Sequence, residues 1–136
     1  SAQEKAKAAN EGINWLHNIE EAIEIAGEKN LSVFIHFTGS DWCIWCKRLE
    51  SEVYQQQDFM EYAKENLVMV MLDFPRSIEQ TEAVKIYNRK KATEYGIKGF
   101  PTVILLNSEG TKIAQTGYQQ GGSVNYIQHL KTLLNN

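Results

Sequence analysis

Residues 37–47 read FTGSDWCIWCK and contain both cysteines of this 136-residue chain, Cys43 and Cys46. They follow residues 31–37 (LSVFIHF), whose almost continuous apolar sequence is typical of a strand buried on both faces. Residues 38–41 (TGSD) end that strand, and a helix is predicted to start near Cys43. The cysteines therefore lie where the carboxyl end of a strand leads into a helix, a common position for a functional site in an α/β sheet.

Outward from this stretch, apolar runs alternate with amphipathic segments. The other predicted strands are residues 13–16, 67–74, 101–106 and 111–116. The predicted helices begin after an Asn18 N-cap, near Cys43, at Phe59, at Glu79 and after Ser123, the last of them burying Val124, Ile127, Leu130 and Leu134. This order predicts an α/β fold with a central mixed sheet and helices on both faces. Strands separated by a helix are expected to be parallel, and the final hairpin antiparallel.

Length and composition limit the range of functions. A chain of 136 residues is the size of one domain, which we place at residues 12–136, after a flexible or helical N-terminal tail at residues 1–11. The net charge of −3 provides no electrostatic attraction for nucleic acid, so no nucleic-acid partner is expected. The longest apolar run, residues 67–72, is far shorter than the ~20 residues of a membrane-spanning helix.

A metal site and a structural cross-link are two explanations for the cysteine pair. A structural zinc site takes four ligands, usually from two matching Cys or His pairs, but His17, His36 and His129 are scattered singly. No metal site is therefore predicted. A disulfide closing so small a loop would stabilise the fold by only about 2 kcal/mol in the chain-entropy model. A domain with 43% hydrophobic residues has little need of it.

Redox chemistry is the third explanation for the pair. It requires one thiol that is exposed and easily ionised, and a second thiol within reach. The unpaired N–H groups and positive dipole end of a helix N-terminus would stabilise a thiolate at Cys43, and Lys47 adds a positive charge. Cys46 lies three residues further on the same helical face, deeper and less exposed. This arrangement favours a redox-active pair.

Three segments resemble the thioredoxin fold: FTGSDWCIWCK (37–47), LDFPR (72–76) and YGIKGFPTVILL (95–106), the last followed by the turn SEG (108–110). A CxxC motif alone is weak evidence, but a downstream Gly-Phe-Pro-Thr that opens a strand makes the combination specific. The resemblance covers about residues 12–136. The fuller pattern is similar to the exported bacterial thioredoxin-like disulfide reductases or isomerases of the DsbH-like group.

The resemblance implies a role for each site residue. Cys43 corresponds to the attacking thiol, Cys46 to the resolving thiol, and Pro101 to the proline whose preceding bond, from Phe100, is cis in this fold. That bond would place a backbone edge beside the sulfurs, where an extended substrate segment can pair with it. His36 stands where thioredoxins carry a buried aspartate that accepts the proton of the deeper cysteine. Two roles remain open for His36: a proton relay, and a core histidine held by a hydrogen bond.

The apolar residues around the motif predict a surface for substrate. Ile44 and Trp45, at the exposed start of the helix, would bind unfolded or extended polypeptide without sequence preference. Trp42 is assigned to the same surface, although an aromatic side chain here can instead support the active-site turn. Gly117, after the last strand, is expected to let substrate approach closely.

The sequence thus predicts a thiol–disulfide oxidoreductase of reductase or isomerase type, acting on protein disulfides with no cofactor beyond the Cys43–Cys46 couple. The alternative is a non-catalytic thioredoxin-like module that binds a partner through residues 42–45 and 100–101. The resemblance implies a monomer that is periplasmic or otherwise exported and is re-reduced by a membrane electron donor of the DsbD type. The sequence as given begins at Ser1 and contains no signal peptide.

Overall fold

A mixed four-stranded sheet forms the centre of the protein. The computed structural model describes residues 12–135, so the predicted tail at residues 1–11 lies outside the described residues. The strands are β1 (Ser32–Thr38), β2 (Leu67–Asp73), β3 (Thr102–Leu106) and β4 (Lys112–Thr116), in the spatial order β2-β1-β3-β4. The helices are α1 (Ile19–Lys29), α2 (Ile44–Leu49), α3 (Gln57–Asn66), α4 (Glu82–Glu94) and α5 (Gly122–Leu134). A π-helical turn, Glu50–Tyr54, continues α2.

The strand directions bring three loops to one edge of the sheet. β1 is parallel to β2 but antiparallel to β3, where Phe37 pairs with Thr102. The prediction that strands separated by a helix are parallel is therefore wrong for β3. The reason is that α4 and its flanking loops return the chain to the edge at which β2 ends. Residues 38–43, 74–78 and 99–101 consequently meet at that edge.

The predicted first strand, residues 13–16, is reduced to one bridge beside β2. Leu16 donates its N–H to the Met69 carbonyl at 2.8 Å and accepts from the Met71 N–H at 2.9 Å. Trp15 instead packs under the sheet, its ring centroid 5.2 Å from that of Tyr54. The segment therefore covers part of the core more than it extends the sheet.

Helices cover both faces of the sheet, as predicted. α1 and α4 pack on one face against a layer that includes Ile35, and α2, α3 and α5 cover the other face around Phe34. Alternate residues of β1 thus enter opposite layers, and β1, β2 and β3 are largely buried on both faces. Burying a large apolar side chain contributes roughly 1.5–3 kcal/mol to the free energy of unfolding. The two layers therefore stabilise the sheet and, with it, the edge at which residues 38–43, 74–78 and 99–101 meet.

Local signals set the ends of two helices as predicted. The Asn18 side chain caps α1 by accepting a 2.8 Å hydrogen bond from the Glu21 N–H. Gly96, just after α4, has φ +64°, the left-handed conformation typical of a helix C-terminus. Across residues 12–135 no helix combines the length and apolar character needed to cross a membrane.

The last helix differs from its prediction. α5 is preceded by Gly121 as its N-cap, two residues before the predicted cap Ser123. Tyr126 and Leu130, four residues apart, are its fully buried side chains. Val124 is 69% exposed, so its predicted burial is wrong. It lies two residues before Tyr126, a rotation of roughly 200° around the helix, and therefore faces away from the sheet.

Candidate active site

The two cysteines form a disulfide at the start of α2, with Cα atoms 5.2 Å apart. Cys43 is the N-cap residue, and the Cys46 backbone N–H donates a 3.2 Å hydrogen bond to its Sγ. The predicted position at a helix start is thereby confirmed. The predicted exposure of Cys43 is wrong: it is 6% exposed, against 3% for Cys46. A tight turn, closed by a 2.9 Å hydrogen bond from the Cys43 N–H to the Gly39 carbonyl, connects the end of β1 to Cys43.

Asp41 joins the cysteine turn to the loop after β2. Its carboxylate accepts hydrogen bonds from the backbone N–H groups of Arg76 (2.9 Å), Ser77 (2.7 Å) and Ile78 (3.1 Å). These bonds, that from Arg76 foremost, lower the pKa of Asp41 below its ordinary value. Asp41 thus acts as a structural clamp, a role that the sequence analysis missed.

A second clamp lies one residue earlier in the turn. The backbone N–H of Ser40 donates to the Asp73 carboxylate at 2.9 Å, and the Ser40 hydroxyl donates to the same group. The Phe74 N–H donates to the Thr38 carbonyl at 2.8 Å. The motifs SDWC and LDFPR are therefore two halves of one hydrogen-bonded unit. Asp41 and Asp73, each near the end of a predicted strand, are the residues from which this connection could have been predicted.

Trp42 stabilises the turn before the cysteines through contacts with the loop after β2 and with Phe100. Its indole Nε1 donates a 2.8 Å hydrogen bond to the Phe74 carbonyl, and the Arg76 guanidinium lies 3.9 Å from the ring centroid. The Phe100 ring meets the indole edge-on at 5.8 Å. A Cβ on Gly39 would lie only 2.4 Å from the indole, so glycine is required there. Trp42 is half-buried, and these contacts favour the supporting role over substrate binding.

Pro101 and Gly117 face each other at the same edge. The Phe100–Pro101 peptide bond is cis, as predicted. A Cβ on Gly117 would lie 3.0 Å from the Pro101 carbonyl oxygen. Gly117 therefore allows the end of β4 to approach Pro101, in addition to its predicted role toward substrate. Phe100 packs on Phe74, with ring centroids 5.1 Å apart.

An exposed apolar surface lies beside the cysteines, and we name it the collar: Ile44, Trp45 and Tyr118. Ile44 is 65% and Trp45 47% exposed. The Trp45 ring lies 5.0 Å from Tyr118 and under the Arg48 guanidinium at 4.8 Å. Arg48 pairs with Glu52 at 2.9 Å, and the Tyr118 hydroxyl donates to the same carboxylate. Tyr118 was missed because no local motif marks it.

His36 lies apart from the collar, on the β1 face beneath α2. It is 1% exposed, and its Nδ1 shares a 3.1 Å hydrogen bond with the Tyr54 hydroxyl. Burial lowers the pKa of His36 to about 3, so the imidazole is neutral near pH 7. His36 and Cys46 both line a cleft of about 370 Å³. The predicted burial is confirmed, and the proton-relay role stays a prediction.

Within residues 12–135, no three His, Cys, Asp or Glu side chains are grouped as metal ligands would be. Eight of the nine predicted site residues meet at the cysteine edge: Trp42, Cys43, Ile44, Trp45, Cys46, Phe100, Pro101 and Gly117. The redox-active cysteine pair and the exposed collar thus lie side by side at this edge.

Comparison with known proteins identifies the fold. The family model for the thioredoxin-like domain matches residues 19–131. The chain belongs to this thioredoxin-like family. Disulfide bond reductase DsbH of Chlamydia pneumoniae is 30% identical over 97% of this chain and 79% of its own length. Thioredoxin-related protein DsbJ of the same organism is 26% identical over 91% of this chain but only 38% of its own length.

A solved structure gives the same result in three dimensions. A structure titled DsbH oxidoreductase superposes with a TM-score of 0.86 and 31% identity, covering 93% of this chain and 88% of the other. The predicted thioredoxin fold and DsbH-like resemblance are thereby confirmed. With its CxxC pair at the helix start, this thioredoxin-like protein is a thiol–disulfide oxidoreductase. The enzyme prediction is favoured over the non-catalytic module.

Proposed function

We propose that this thioredoxin-like protein reduces or isomerises disulfides in protein substrates through Cys43 and Cys46. The observation that carries the proposal is the hydrogen bond from the Cys46 N–H to the Cys43 Sγ at the helix start. In the reduced protein the same N–H and the helix dipole would stabilise a Cys43 thiolate. Cys43 is therefore the nucleophile, and Cys46, at the same helix start, resolves the intermediate.

The two steps balance as a two-electron exchange. The Cys43 thiolate attacks one sulfur of the substrate disulfide, and the other substrate sulfur leaves with the electron pair as a thiolate. A mixed disulfide joins Cys43 to the substrate. The Cys46 thiolate then attacks the Cys43 sulfur, the bond to substrate breaks, and the second substrate thiolate leaves. The substrate is reduced and the Cys43–Cys46 disulfide is formed.

The collar is the proposed contact for protein substrates. Ile44, Trp45 and Tyr118 offer apolar area beside the sulfurs, and Trp45 is held by ring and guanidinium contacts. Such a surface binds exposed apolar segments of unfolded polypeptide without sequence preference. The backbone around Pro101 lies at the same edge, where an extended substrate segment can pair with it.

Location and electron supply follow from the same proposal. Each reductive cycle ends with the Cys43–Cys46 disulfide, so an external donor must regenerate the dithiol. The relatives named DsbH and DsbJ support an exported, periplasmic protein that receives electrons from a DsbD-type membrane donor. We further propose that it acts as a monomer and needs no cofactor beyond its two cysteines.

Trapping of the mixed disulfide tests the proposal. Cys46→Ser should accumulate dithiothreitol-sensitive adducts with substrate proteins, because Cys43 still attacks but nothing resolves the intermediate. Cys43→Ser should form no adduct. The wild-type protein should accelerate insulin reduction by dithiothreitol, and a non-catalytic binding module would not. Identical behaviour of the two serine variants would contradict the assigned roles.

A further inference from the structure

Two arginine–tryptophan stacks lie next to the cysteines, one at each tryptophan of the motif. The Arg48 guanidinium lies 4.8 Å from the centroid of the Trp45 ring, in the collar. The Arg76 guanidinium lies 3.9 Å from the centroid of the Trp42 ring, on the loop after β2. Arg48 is paired with Glu52 at 2.9 Å. The Arg76 side chain, in contrast, makes no ion pair or hydrogen bond in the part of the chain that the structure describes, so its donors are available to a ligand.

The loop that carries Arg76 is held in place through its backbone. The N–H groups of Arg76 and of the two residues after it all donate to the Asp41 carboxylate. The ring under the guanidinium is fixed as well, because the Trp42 indole donates a 2.8 Å hydrogen bond to the Phe74 carbonyl. A guanidinium that is already stacked on a fixed ring loses less conformational freedom on binding than a freely rotating one. Arg76 is therefore positioned in advance for the two oxygens of a carboxylate.

Arg76 is close to the edge at which a substrate segment is proposed to pair. The Phe100 ring meets the Trp42 indole at 5.8 Å, so Trp42 contacts both Phe100 and Arg76. The guanidinium and the Phe100 ring are therefore at most about 10 Å apart, the length of about three residues of extended chain at ~3.3 Å each. A substrate cysteine that reacts beside Pro101 can thus bring a side chain two or three positions away from it to Arg76.

The other charges of these loops also favour an anionic ligand. Lys47 and Lys98 are exposed and, like Arg76, have no carboxylate partner within residues 12–135. The carboxylates of Asp41 and Asp73 are occupied by donors of the adjoining turn and loop. Glu79 is the exposed opposing charge on the loop after β2. The exposed, unpaired charges around the cysteines are thus mainly positive, although the chain as a whole has a net charge of −3.

We infer that Arg76 determines specificity by selecting substrate disulfides that carry an acidic side chain two or three residues from the reacting cysteine. This inference rests on the proposed function. The guanidinium forms a two-point ion pair with the Asp or Glu carboxylate while the substrate cysteine reacts at Cys43. The contact strengthens substrate binding and takes no part in the exchange of sulfurs, so it lowers KM and leaves kcat unchanged.

Reduction of matched peptides by the wild type and by Arg76→Gln tests the inference. The substrates are disulfide-linked peptide dimers with blocked termini, which carry Glu, Gln or Lys two or three residues from the cysteine. The ratio of kcat/KM for the Glu peptide over the Gln peptide should be about threefold to fivefold higher in the wild type than in Arg76→Gln, as for an exposed ion pair. Comparing the two proteins cancels any effect of the peptide charge on the peptide's own thiol. The difference should lie in KM and should disappear in about 0.5 M NaCl, which screens exposed charges.

Two further variants separate recognition of charge from support of Trp42. Arg76→Glu should reverse the preference, so that the Lys peptide is reduced with a lower KM than the Gln peptide; a loss of support for the ring would not produce this reversal. Lys64→Gln removes a positive charge from the last turn of α3, before β2 begins and far from the cysteine edge, and should keep the wild-type ratio. The rate with neutral bis(2-hydroxyethyl) disulfide should stay within about twofold of wild type in every variant.

The possible outcomes are distinct. Equal Glu-to-Gln ratios in the wild type and in Arg76→Gln, or no preference for the Lys peptide in Arg76→Glu, would overturn the inference. If the wild type reduces none of the peptides and Cys46→Ser forms no mixed disulfide with any of them, the proposed function itself fails instead.

Discussion

The carboxylate of Asp41 accepts a 2.7 Å hydrogen bond from the backbone N–H of Ser77. The two residues are 36 positions apart in sequence, and the bond fixes the turn before the cysteines to the loop after β2. A carboxylate that accepts several backbone N–H groups strongly favours its charged form. The orientation of the helix start, and therefore of Cys43, depends on this ionised group.

Asp41→Asn should lower the melting temperature at neutral pH, because an amide accepts these hydrogen bonds less strongly than a carboxylate. The backbone donors lower the pKa of Asp41 from its ordinary value of 3.8. A lowered pKa in the folded state means that the stabilisation is present above pH 3.8 and is lost as the pH falls through the folded-state pKa. In thermal denaturation from pH 7 to pH 2, the difference in melting temperature between the wild type and Asp41→Asn should therefore become smaller as the pH falls. If that difference were the same at every pH, the negative charge of Asp41 would not be the cause of the stabilisation.

His36 should make the protein sensitive to mild acid. Burial lowers the pKa of His36 from 6.5 to about 3. The neutral imidazole therefore makes its full contribution to the free energy of unfolding above pH 6.5, and this contribution declines as the pH falls toward 3. The decline for one proton is about 1.4 kcal/mol per pH unit. In urea denaturation between pH 4 and pH 7.5, His36→Asn should show a shallower dependence of the unfolding free energy on pH.

Tyr54→Phe is the matched control for that measurement. It removes the hydroxyl that shares a hydrogen bond with the His36 Nδ1 but leaves the buried imidazole in place. We expect a loss of about 1 kcal/mol with the wild-type pH dependence retained. Equal pH dependence in the wild type and in His36→Asn would mean that another group causes the acid sensitivity.

The sequence predicted the fold well wherever the signals were local. The continuous apolar runs of β1 and β2, the Asn18 cap and the cysteine pair at a helix start need only neighbouring residues for their interpretation. The direction of β3 was mispredicted because it depends on where a long connection returns to the sheet. The exposure of Cys43 was mispredicted because a position at a helix start does not by itself determine how deeply the side chain is buried.

The site residues that were missed act through distant contacts. Asp73 meets Ser40 across 33 positions, and Tyr118 meets Glu52 across 66. Neither pair has a periodicity or spacing that a local pattern could reveal.

Cys43 should react with iodoacetamide before Cys46 in the reduced protein. The two residues are almost equally buried, so the expected difference comes from thiolate stabilisation at the helix N-cap, where the Cys46 N–H faces the Cys43 sulfur. At pH 6 we expect at least about tenfold faster labelling of Cys43, measured by peptide mass spectrometry. Preferential labelling of Cys46 would reverse the assigned roles.

Gly117→Ala should reduce activity by disturbing the edge opposite the cysteines. The added Cβ would lie 3.0 Å from the Pro101 carbonyl oxygen, so the end of β4 must shift away from it. Gly99→Ala is the control, because a Cβ there meets nothing within 4 Å. Insulin reduction should fall several-fold, on the order of threefold to tenfold, for Gly117→Ala and stay near wild type for Gly99→Ala. Equal activities would show that the close approach has no functional role.

Trp45→Ala tests whether the collar binds protein substrates. Trp45 is 47% exposed yet held between Tyr118 and Arg48, so its apolar face is available to a ligand at little entropic cost. Removing it should lower kcat/KM for an unfolded protein disulfide about tenfold, within the range for an aromatic contact residue. The rate with glutathione disulfide, which is too small to span the collar, should change less than twofold.

Two variants separate binding by the collar from a general effect of apolar exposure. Ile86→Ala removes a side chain on α4 that is 57% exposed and lies outside the collar; it should leave both rates unchanged. Tyr118→Phe keeps the ring against Trp45 but removes the hydroxyl that donates to Glu52, so it should show an intermediate loss with the protein substrate only. If Trp45→Ala lowered the rates with the protein disulfide and with glutathione disulfide equally, Trp45 would instead be needed to position the two cysteines. The collar would then not be the substrate surface.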